Sequence, residues 1–381
     1  MKICKHFNEC GGCCLQDIPY SKQLELKEDK LKELLSSLNI NTPIKPINYG
    51  EPWYYRNKME FSFAEDSSCG LYSKKEKAKV VNIEECLIFS LDLGSIIGAV
   101  KSFVKDKNYS VYNKYNHQGF LRNLIIRETK FTGEIMVGLV TSSKEELDKE
   151  RLIEELLSLK LNSKIKSIYH IINDSLSDAV VFDRKELIYG NEFIKEKIAD
   201  IWFNVSIDSF YQVNPKMMVN FYDKIKHYAT LGKDQTVLDL FCGAGSIGLC
   251  LAPLAKQVWG VEVGSDMVKL AECNAKINNI ENISFFASDV RRFLNIEAKP
   301  FDKVDCVVIN PPRSGLSHKV KRAILRLKPK GVLYSSCNPK SLFTDLESFK
   351  EEYTLDFIEL FDFFPHTLHL ETLVGLRPKK S

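Results

Sequence analysis

The sequence predicts an α/β protein: a doubly wound parallel sheet in the C-terminal half, preceded by an α+β region. Three observations carry this. From about residue 235, strand-length apolar runs alternate regularly with helical runs, the pattern of a parallel sheet covered by helices. Between about 50 and 200, short runs broken by turn residues dominate instead. A glycine-rich turn, Gly243-x-Gly245-x-x-Gly248, sits where the first run of the regular region hands over to a helix.

Taken in order, residues 20–38 set Leu24, Leu26, Leu31, Leu34 and Leu35 among charges, which spells an amphipathic helix. Strands are expected at KMEFSF (58–63), CGLYS (69–73), LIIRET (124–129), EIMVGLV (134–140) and DAVVFD (178–183), with helices over 91–105 and 145–159. The regular region opens on the strand TVLDL, the helix SIGLCLAPLA, the strand VWGVE and the helix DMVKLAECNAKIN. ISFFASD, DCVVIN and GVLYSS are further strands, and VKRAILRL and KSLFTDLESFKE further helices. The domains expected are 1–205 and 206–381.

Composition narrows the class. At 44% apolar and 27% charged residues the chain is globular. The net charge of +3 neither demands nor excludes a nucleic-acid partner, so any basic surface must be local. The N-terminus MKICKHFNECGGCCLQD has no apolar signal core, and no apolar run reaches a membrane span. A cytoplasmic protein is expected. Its eleven cysteines are then read as ligands, nucleophiles or core residues rather than as a disulfide framework.

The glycine turn and Glu262, 23 residues after Asp239, suit a nucleoside-bearing cofactor, the carboxylate accepting from the ribose hydroxyls. Nicotinamide enzymes share that design. Three features favour S-adenosylmethionine. Asp239 before the glycines suits a cationic amino-acid end. Asp289, after the third strand, can meet an adenine amino group, although Asp there also serves as a helix N-cap. Asn310-Pro311-Pro312-Arg313 closes the fourth strand.

Glu262, Asn310 and Cys337 all fall at strand C-termini, where an open sheet binds ligands. Cys250, Cys273 and Cys306 lie within helices or strands and read as packing residues. A thiol beside a methyl donor suggests covalent catalysis on a pyrimidine. A thiolate adding to carbon 6 of uracil makes carbon 5 nucleophilic. A base must then remove the carbon 5 proton, and FFPHTLHLE offers His366, His369 and Glu371. For the two histidines, loop packing is the favoured reading.

SFYQVN, DLFCGAGSIG, NPPRSG, SSCNP and FPHTLHLE occur in order across the chain. Together they resemble the RNA (uracil-5-)-methyltransferase family. The resemblance implies a Rossmann-like class I S-adenosylmethionine-dependent methyltransferase domain, with the helix at 20–38 returning to pack on it, Cys337 as nucleophile and Glu371 as base. It places Gln212, Phe241, Ser246, Glu262, Asp289 and Asn310 on S-adenosylmethionine. Many members carry Asp at the position of Asn310. The branch acting on 23S ribosomal RNA carries Asn, and the start at Cys4 leaves no room for the small β-barrel (TRAM) domain of other relatives. The expected substrate is therefore a uridine of 23S ribosomal RNA. The T-loop uridine of transfer RNA is the alternative, and a non-catalytic iron–sulfur RNA-binding protein a lesser one. A monomer is expected.

Cys4, Cys10 and Cys13 form a compact ligand cluster, with Cys86 the best fourth member and Cys69 a competitor. Spacing alone allows zinc or an iron–sulfur cluster; the resemblance implies 4Fe-4S. For RNA contacts, HKVKRAILRLKPK (318–330) carries six Lys/Arg and no acid, and Arg56, Lys58, Arg122 and Arg127 lie beside aromatic or apolar strand residues.

Overall fold

The computed structural model describes residues 2–66, 68–177, 180, 182–295 and 300–379. Helix α1 (Tyr20–Ser37) leads into β1 (Lys58–Phe63), β2 (Cys69–Tyr72), β3 (Val80–Asn82), α2 (Leu93–Asp106), β4 (Leu121–Glu128), β5 (Glu134–Thr141), α3 (Lys149–Leu157), β6 (Lys164–Ile172) and β7 (Arg184–Gly190). The seven strands form one sheet in the order β3-β2-β1-β4-β5-β6-β7, antiparallel throughout except for the β5–β6 pair. Helices α2 and α3 cover one face, packing Phe103, Val104, Leu152 and Leu156 against Ile126 and Val137. Of the expected strand DAVVFD, Asp178, Ala179 and Val181 lie outside the described residues.

A hairpin follows, β8 (Ile194–Ile198) with β9 (Ile201–Val205), then α4 (Pro215–Ala229). Asn214 caps α4 by accepting from the Met217 amide, and Pro215 sits in the first turn, where a missing N–H costs nothing. Ile125, Met136 and Val140 from the second face of the sheet share a core with the hairpin, with α4 and with the strands that follow. This apolar layer joins the two halves of the chain.

The second sheet is built from β10 (Thr236–Leu240), α5 (Ser246–Leu251), β11 (Gln257–Glu262), α6 (Ser265–Ile277), β12 (Ile283–Ala287), α7 (Val290–Phe293), β13 (Cys306–Ile309), α8 (His318–Leu327), β14 (Gly331–Ser336), α9 (Pro339–Leu346), β15 (Tyr353–Phe361) and β16 (Glu371–Pro378). Its order is β12-β11-β10-β13-β14-β16-β15. The strands run parallel from β12 to β14, and β16 enters antiparallel between β14 and β15. The order reverses between β10 and β13, which opens a crevice at the carboxyl ends of the strands.

Leu31 and Leu35 of α1 share the core of this second sheet with Val320, Ile324 and Phe343. The chain after α1 runs beside β15, with Lys45 and Asn48 amides donating to the Ile358 and Leu360 carbonyls. Lys27, on the buried side of α1, donates to Asp362 at 2.6 Å with neither side chain exposed. Tyr20 donates to the other carboxylate oxygen of Asp362 at 2.8 Å. A buried ion pair survives only when its remaining lone pairs are also met, and here the tyrosine meets one.

Candidate active site

The loop after β10 turns tightly. Phe241, Gly243 and Gly245 all have positive φ, at 62°, 54° and 81°. Glycine tolerates this; Phe241 adopts it at some cost. A Cβ on Gly245 would lie 2.7 Å from the Phe285 ring, whereas one on Gly243 would meet nothing within 4 Å. The loop is therefore closed against the sheet on one side and open on the other. Asp239 is fully buried beneath it. Its Oδ2 accepts from the Gly248 amide at 2.8 Å, while Oδ1 has no partner among the described residues. Burial pushes this carboxyl up to about 7. A nearby cationic group would hold it ionised.

Glu262 ends β11. Its carboxylate accepts from the amides of Gly243 (3.1 Å), Val263 (2.8 Å) and Gly264 (3.1 Å), which fixes it at the mouth of the crevice. Ser246 opens α5, and the Asn310 amide donates to the Leu240 carbonyl at 3.3 Å, tying the ends of β13 and β10 together. Phe241, Ser246, Glu262 and Asn310 thus gather at one edge of the sheet. Asp289 stands exposed beyond β12 and caps α7, accepting from the Arg292 amide at 2.9 Å. Its N-cap role is realised, and its second oxygen remains available. Gln212 comes from the segment before α4; its main-chain carbonyl accepts from Asn57 Nδ2 at 2.8 Å. Among the described residues no hydrogen bond joins Gln212 to the other five. The open loop, the orphaned Asp239 oxygen and the fixed Glu262 fit a ligand with a cationic amino-acid end and a ribose.

Cys337 follows β14 directly and Glu371 begins β16. The two strands pair antiparallel, Ser336 opposite Thr372. The next step of that register brings Cys337 and Glu371 together. Glu371 is 5% exposed, and Ser335 Oγ donates to its Oε1 at 2.5 Å. Burial pushes its carboxyl up to about 7, with the Ser335 bond opposing. The Cys337 thiol is pushed above the ordinary range by burial and then by the Glu371 carboxylate, while the Arg313 guanidinium opposes both. Asn338 Nδ2 donates to the Arg313 carbonyl at 3.0 Å and ties the two loops. Neither Ser335 nor Arg313 was assigned a role from sequence. A serine inside a strand carries no signal, and Arg313 offered only its place after the two prolines.

His366 is packed away from this pair. It is buried with φ at 64°, and its ring lies 4.0 Å from that of Trp53. Its carbonyl accepts from the amides of Cys14 and Leu15, and Gln23 Oε1 accepts from its amide at 3.0 Å. It therefore clamps the N-terminal segment and α1 onto the loop that leads to Glu371.

Cys4, Cys10, Cys13 and Cys86 line one small cavity together with Phe7, Leu71 and Leu87. Burial, reinforced by the neighbouring thiols, pushes Cys13 and Cys86 up to about 12. Cys69 is fully buried on β2 and does not line the cavity; Cys14 is exposed. Among the described residues, no group of three or more His, Cys, Asp or Glu is arranged to hold a metal ion.

Two expected RNA contacts are corrected. Arg127 is 1% exposed and donates to the carbonyls of Ile207 and Ser209. Arg122 is 8% exposed and donates to the carbonyls of Asn173, Ser175 and Ser177. Both guanidiniums are committed to the chain's own backbone, since a buried cation must find acceptors. On α8, Lys321 is likewise buried against Asp345 at 2.8 Å, whereas Lys319 and Arg322 are exposed. No helix among the described residues is long and apolar enough to cross a membrane.

A seven-stranded sheet with one reversed strand, a glycine loop at its switch point and an acid at the end of the next strand define an α/β methyltransferase fold. Within that class, the family model for tRNA (uracil-5-)-methyltransferase matches residues 19–379, and the chain belongs to that family. It is an RNA (uracil-5-)-methyltransferase. An uncharacterised RNA methyltransferase of Clostridium tetani is 36% identical over 99% of this chain and 84% of its own length. Another, from Staphylococcus aureus, is 33% identical over 97% and 83%. Among solved structures, the tRNA (uracil-54, C5)-methyltransferase of Pyrococcus abyssi, in complex with S-adenosyl-L-homocysteine, superposes with a TM-score of 0.79. It is 30% identical and the match covers 96% of this chain and 86% of that one.

Proposed function

We propose that this enzyme methylates carbon 5 of a uridine in structured RNA, through a covalent bond between Cys337 and carbon 6. The single observation that carries this reading is the meeting of Cys337 and Glu371 across β14 and β16, beside the glycine-loop crevice. Cys337, as thiolate, adds to carbon 6, and the electron pair passes to carbon 5 as an enolate. S-adenosylmethionine, when bound, supplies the methyl group that carbon 5 accepts. Glu371 then takes the carbon 5 proton, the thiolate leaves carbon 6, and the ring double bond returns. Arg313 works against the burial and the Glu371 charge that raise the Cys337 thiol, and so favours the thiolate form. A uridine inside a folded RNA must be flipped out to reach the thiol.

Gln212, Phe241, Ser246, Glu262, Asp289 and Asn310 would hold S-adenosylmethionine, with Asp239 supporting its ammonium end. The substrate proposed is 23S ribosomal RNA, on Asn310. Transfer RNA is the second reading, favoured by the activity named for the Pyrococcus abyssi structure. We further propose two units, 1–205 and 206–381, acting as a cytoplasmic monomer.

Cys4, Cys10, Cys13 and Cys86 are proposed to hold a 4Fe-4S cluster. Four thiols facing one apolar cavity support this, because their charged forms repel one another unless a cationic group lies between them. The choice of an iron–sulfur cluster over zinc rests on the family resemblance. The cluster would anchor the N-terminal segment that His366 clamps.

Incubation of anaerobically purified protein with methyl-labelled S-adenosylmethionine and either 23S fragments or transfer RNA transcripts tests the main reading. Label in 5-methyluridine of one RNA is expected. Label in any other nucleoside sinks it.

A further inference from the structure

A cleft of about 430 Å³ opens on the first sheet, lined by Phe63, Tyr72, Lys79, Tyr112, Lys114 and Tyr115 among others. Tyr115 is 78% exposed and Tyr72 46%. Lys114 lies between them, its ammonium 5.4 Å from the Tyr72 ring and 5.6 Å from the Tyr115 ring. Arg122 also lines the cleft and covers the Tyr112 ring at 4.0 Å, but its guanidinium is held by backbone carbonyls, so the cations open to RNA are lysines. The β2–β3 turn beside the cleft reads SKKEKAK, and its Lys74, Lys75, Lys77 and Lys79 are all exposed. Two acids also line the cleft, but each is engaged: Glu65 accepts from Asn113 at 2.8 Å and Asp66 from the Ser68 amide at 2.9 Å.

Exposed aromatic faces ringed by cations suit an unpaired nucleic-acid strand. Bases stack on the rings, at roughly 1–3 kcal/mol per base, and phosphates meet the cations. The cleft lies at the Phe63 end of β1. The other end of β1 meets the catalytic half, where Asn57 donates to Gln212 and Val213 carbonyls. At about 3.4 Å per residue the two ends lie roughly 17 Å apart. A strand in the cleft therefore belongs to the RNA outside the target nucleotide.

We propose that this cleft is a second RNA subsite, which stacks an unpaired base on Tyr115 and Tyr72 and holds neighbouring phosphates with the lysines of the 74–79 turn. It rests on the reading of the chain as an RNA-modifying enzyme and adds where the rest of the RNA binds. Base stacking there selects RNAs with a single-stranded segment at a fixed distance from the target uridine.

The test compares wild type with Tyr115→Ala and with Lys75→Glu/Lys77→Glu, all on exposed side chains. The probes are a transcript that wild type converts to 5-methyluridine and its target stem-loop alone. Tyr115→Ala should weaken binding of the long transcript about tenfold or more, raise its KM, and leave kcat and stem-loop binding unchanged. The lysine variant should reduce the slope of log affinity against log salt by about 1 to 2. S-adenosylmethionine binding, unchanged in both, verifies the fold. Long-transcript affinity and salt slope within twofold of wild type in both variants overturn the subsite and leave the methyltransferase reading standing. A wild type that forms no 5-methyluridine in any transcript overturns that reading, and the subsite with it.

Discussion

Cys337 and Glu371 stand one residue beyond the Ser336–Thr372 pair, on adjacent antiparallel strands. Two groups so placed cannot both be charged cheaply, and each raises the cost of ionising the other. The reaction uses them in alternation. The Cys337 thiol passes its proton to the Glu371 carboxylate, so the thiolate forms as Glu371 becomes neutral; once the sulfur is tied up in the carbon 6 bond, Glu371 releases that proton to solvent and can then accept the one from carbon 5. Mutual repulsion therefore does not oppose the sequence of steps.

Separating the two roles gives the first prediction. Cys337→Ala should abolish 5-methyluridine formation and leave S-adenosylmethionine binding intact. Glu371→Gln removes only the base, so turnover should fall roughly 10²–10⁴-fold. Because the thiolate cannot leave until the carbon 5 proton goes, this variant should accumulate a protein–RNA adduct that survives denaturing electrophoresis. Equal absence of adduct in both variants would count against Glu371 as the base.

The pH profile follows from the carboxyl at about 7. The base form of Glu371 grows as pH rises through that value, and the thiolate of Cys337 grows at higher pH still. Activity should rise across pH 6–8. Ser335→Ala removes the hydrogen bond that favours the charged carboxylate, so the rise should move to higher pH. The stability effect has the opposite sign. A folded value raised above the ordinary 4.5 favours the protonated fold, so this contribution is present below 4.5 and lost as pH climbs through 7. Glu371→Gln should therefore raise Tm relative to wild type at pH 8 and leave it unchanged near pH 4.5. A profile insensitive to Ser335→Ala would show that another group sets it.

How far the sequence carried this site depends on the residue. Strands β10, β11, β13 and β14 were legible because a parallel sheet is covered on both faces and reads as unbroken apolar runs. β1 was legible by its alternation, KMEFSF, buried at Met59, Phe61 and Phe63. β7 was not, since six of its seven residues are exposed and its pattern carries no apolar face. Helix α4 escaped notice although Asn214-Pro215 announces it. Arg122 and Arg127 looked like surface charges on strands. Only the structure reveals the backbone carbonyls that take them inside, because those carbonyls come from distant segments.

Asn310 directly follows β13. Its backbone amide bond to Leu240 does not depend on the side chain. Asn310→Asp should therefore keep the loop in place and retain measurable methylation, within about tenfold of wild type. Complete loss, with S-adenosylmethionine still bound, would mean that the amide is required by the RNA this enzyme acts on.

The attachment of α1 rests on Lys27 and Asp362, both without exposure. Lys27→Met leaves a buried carboxylate with Tyr20 but no counter-charge, which should cost about 3–5 kcal/mol. Lys27→Met/Asp362→Leu removes the stranded charge and should recover part of it. A thermal melt decides: single and double variants of equal Tm would show that the ion pair contributes no net charge term.

The cysteine cavity makes the last prediction, and its readout is iron rather than activity. Cys86 lines the cavity with Cys4, Cys10 and Cys13, whereas Cys69 lies elsewhere in the sheet core. Cys86→Ser should lose iron and sulfide on anaerobic purification, and Cys69→Ser should keep both while losing some stability to imperfect packing. The cavity also connects to the active site through Cys14 and Leu15, whose amides hold the His366 carbonyl. Protease cleavage within 363–371 should accordingly speed up in Cys86→Ser and not in Cys69→Ser. Stoichiometric zinc without iron in the wild type would replace the cluster with a single ion.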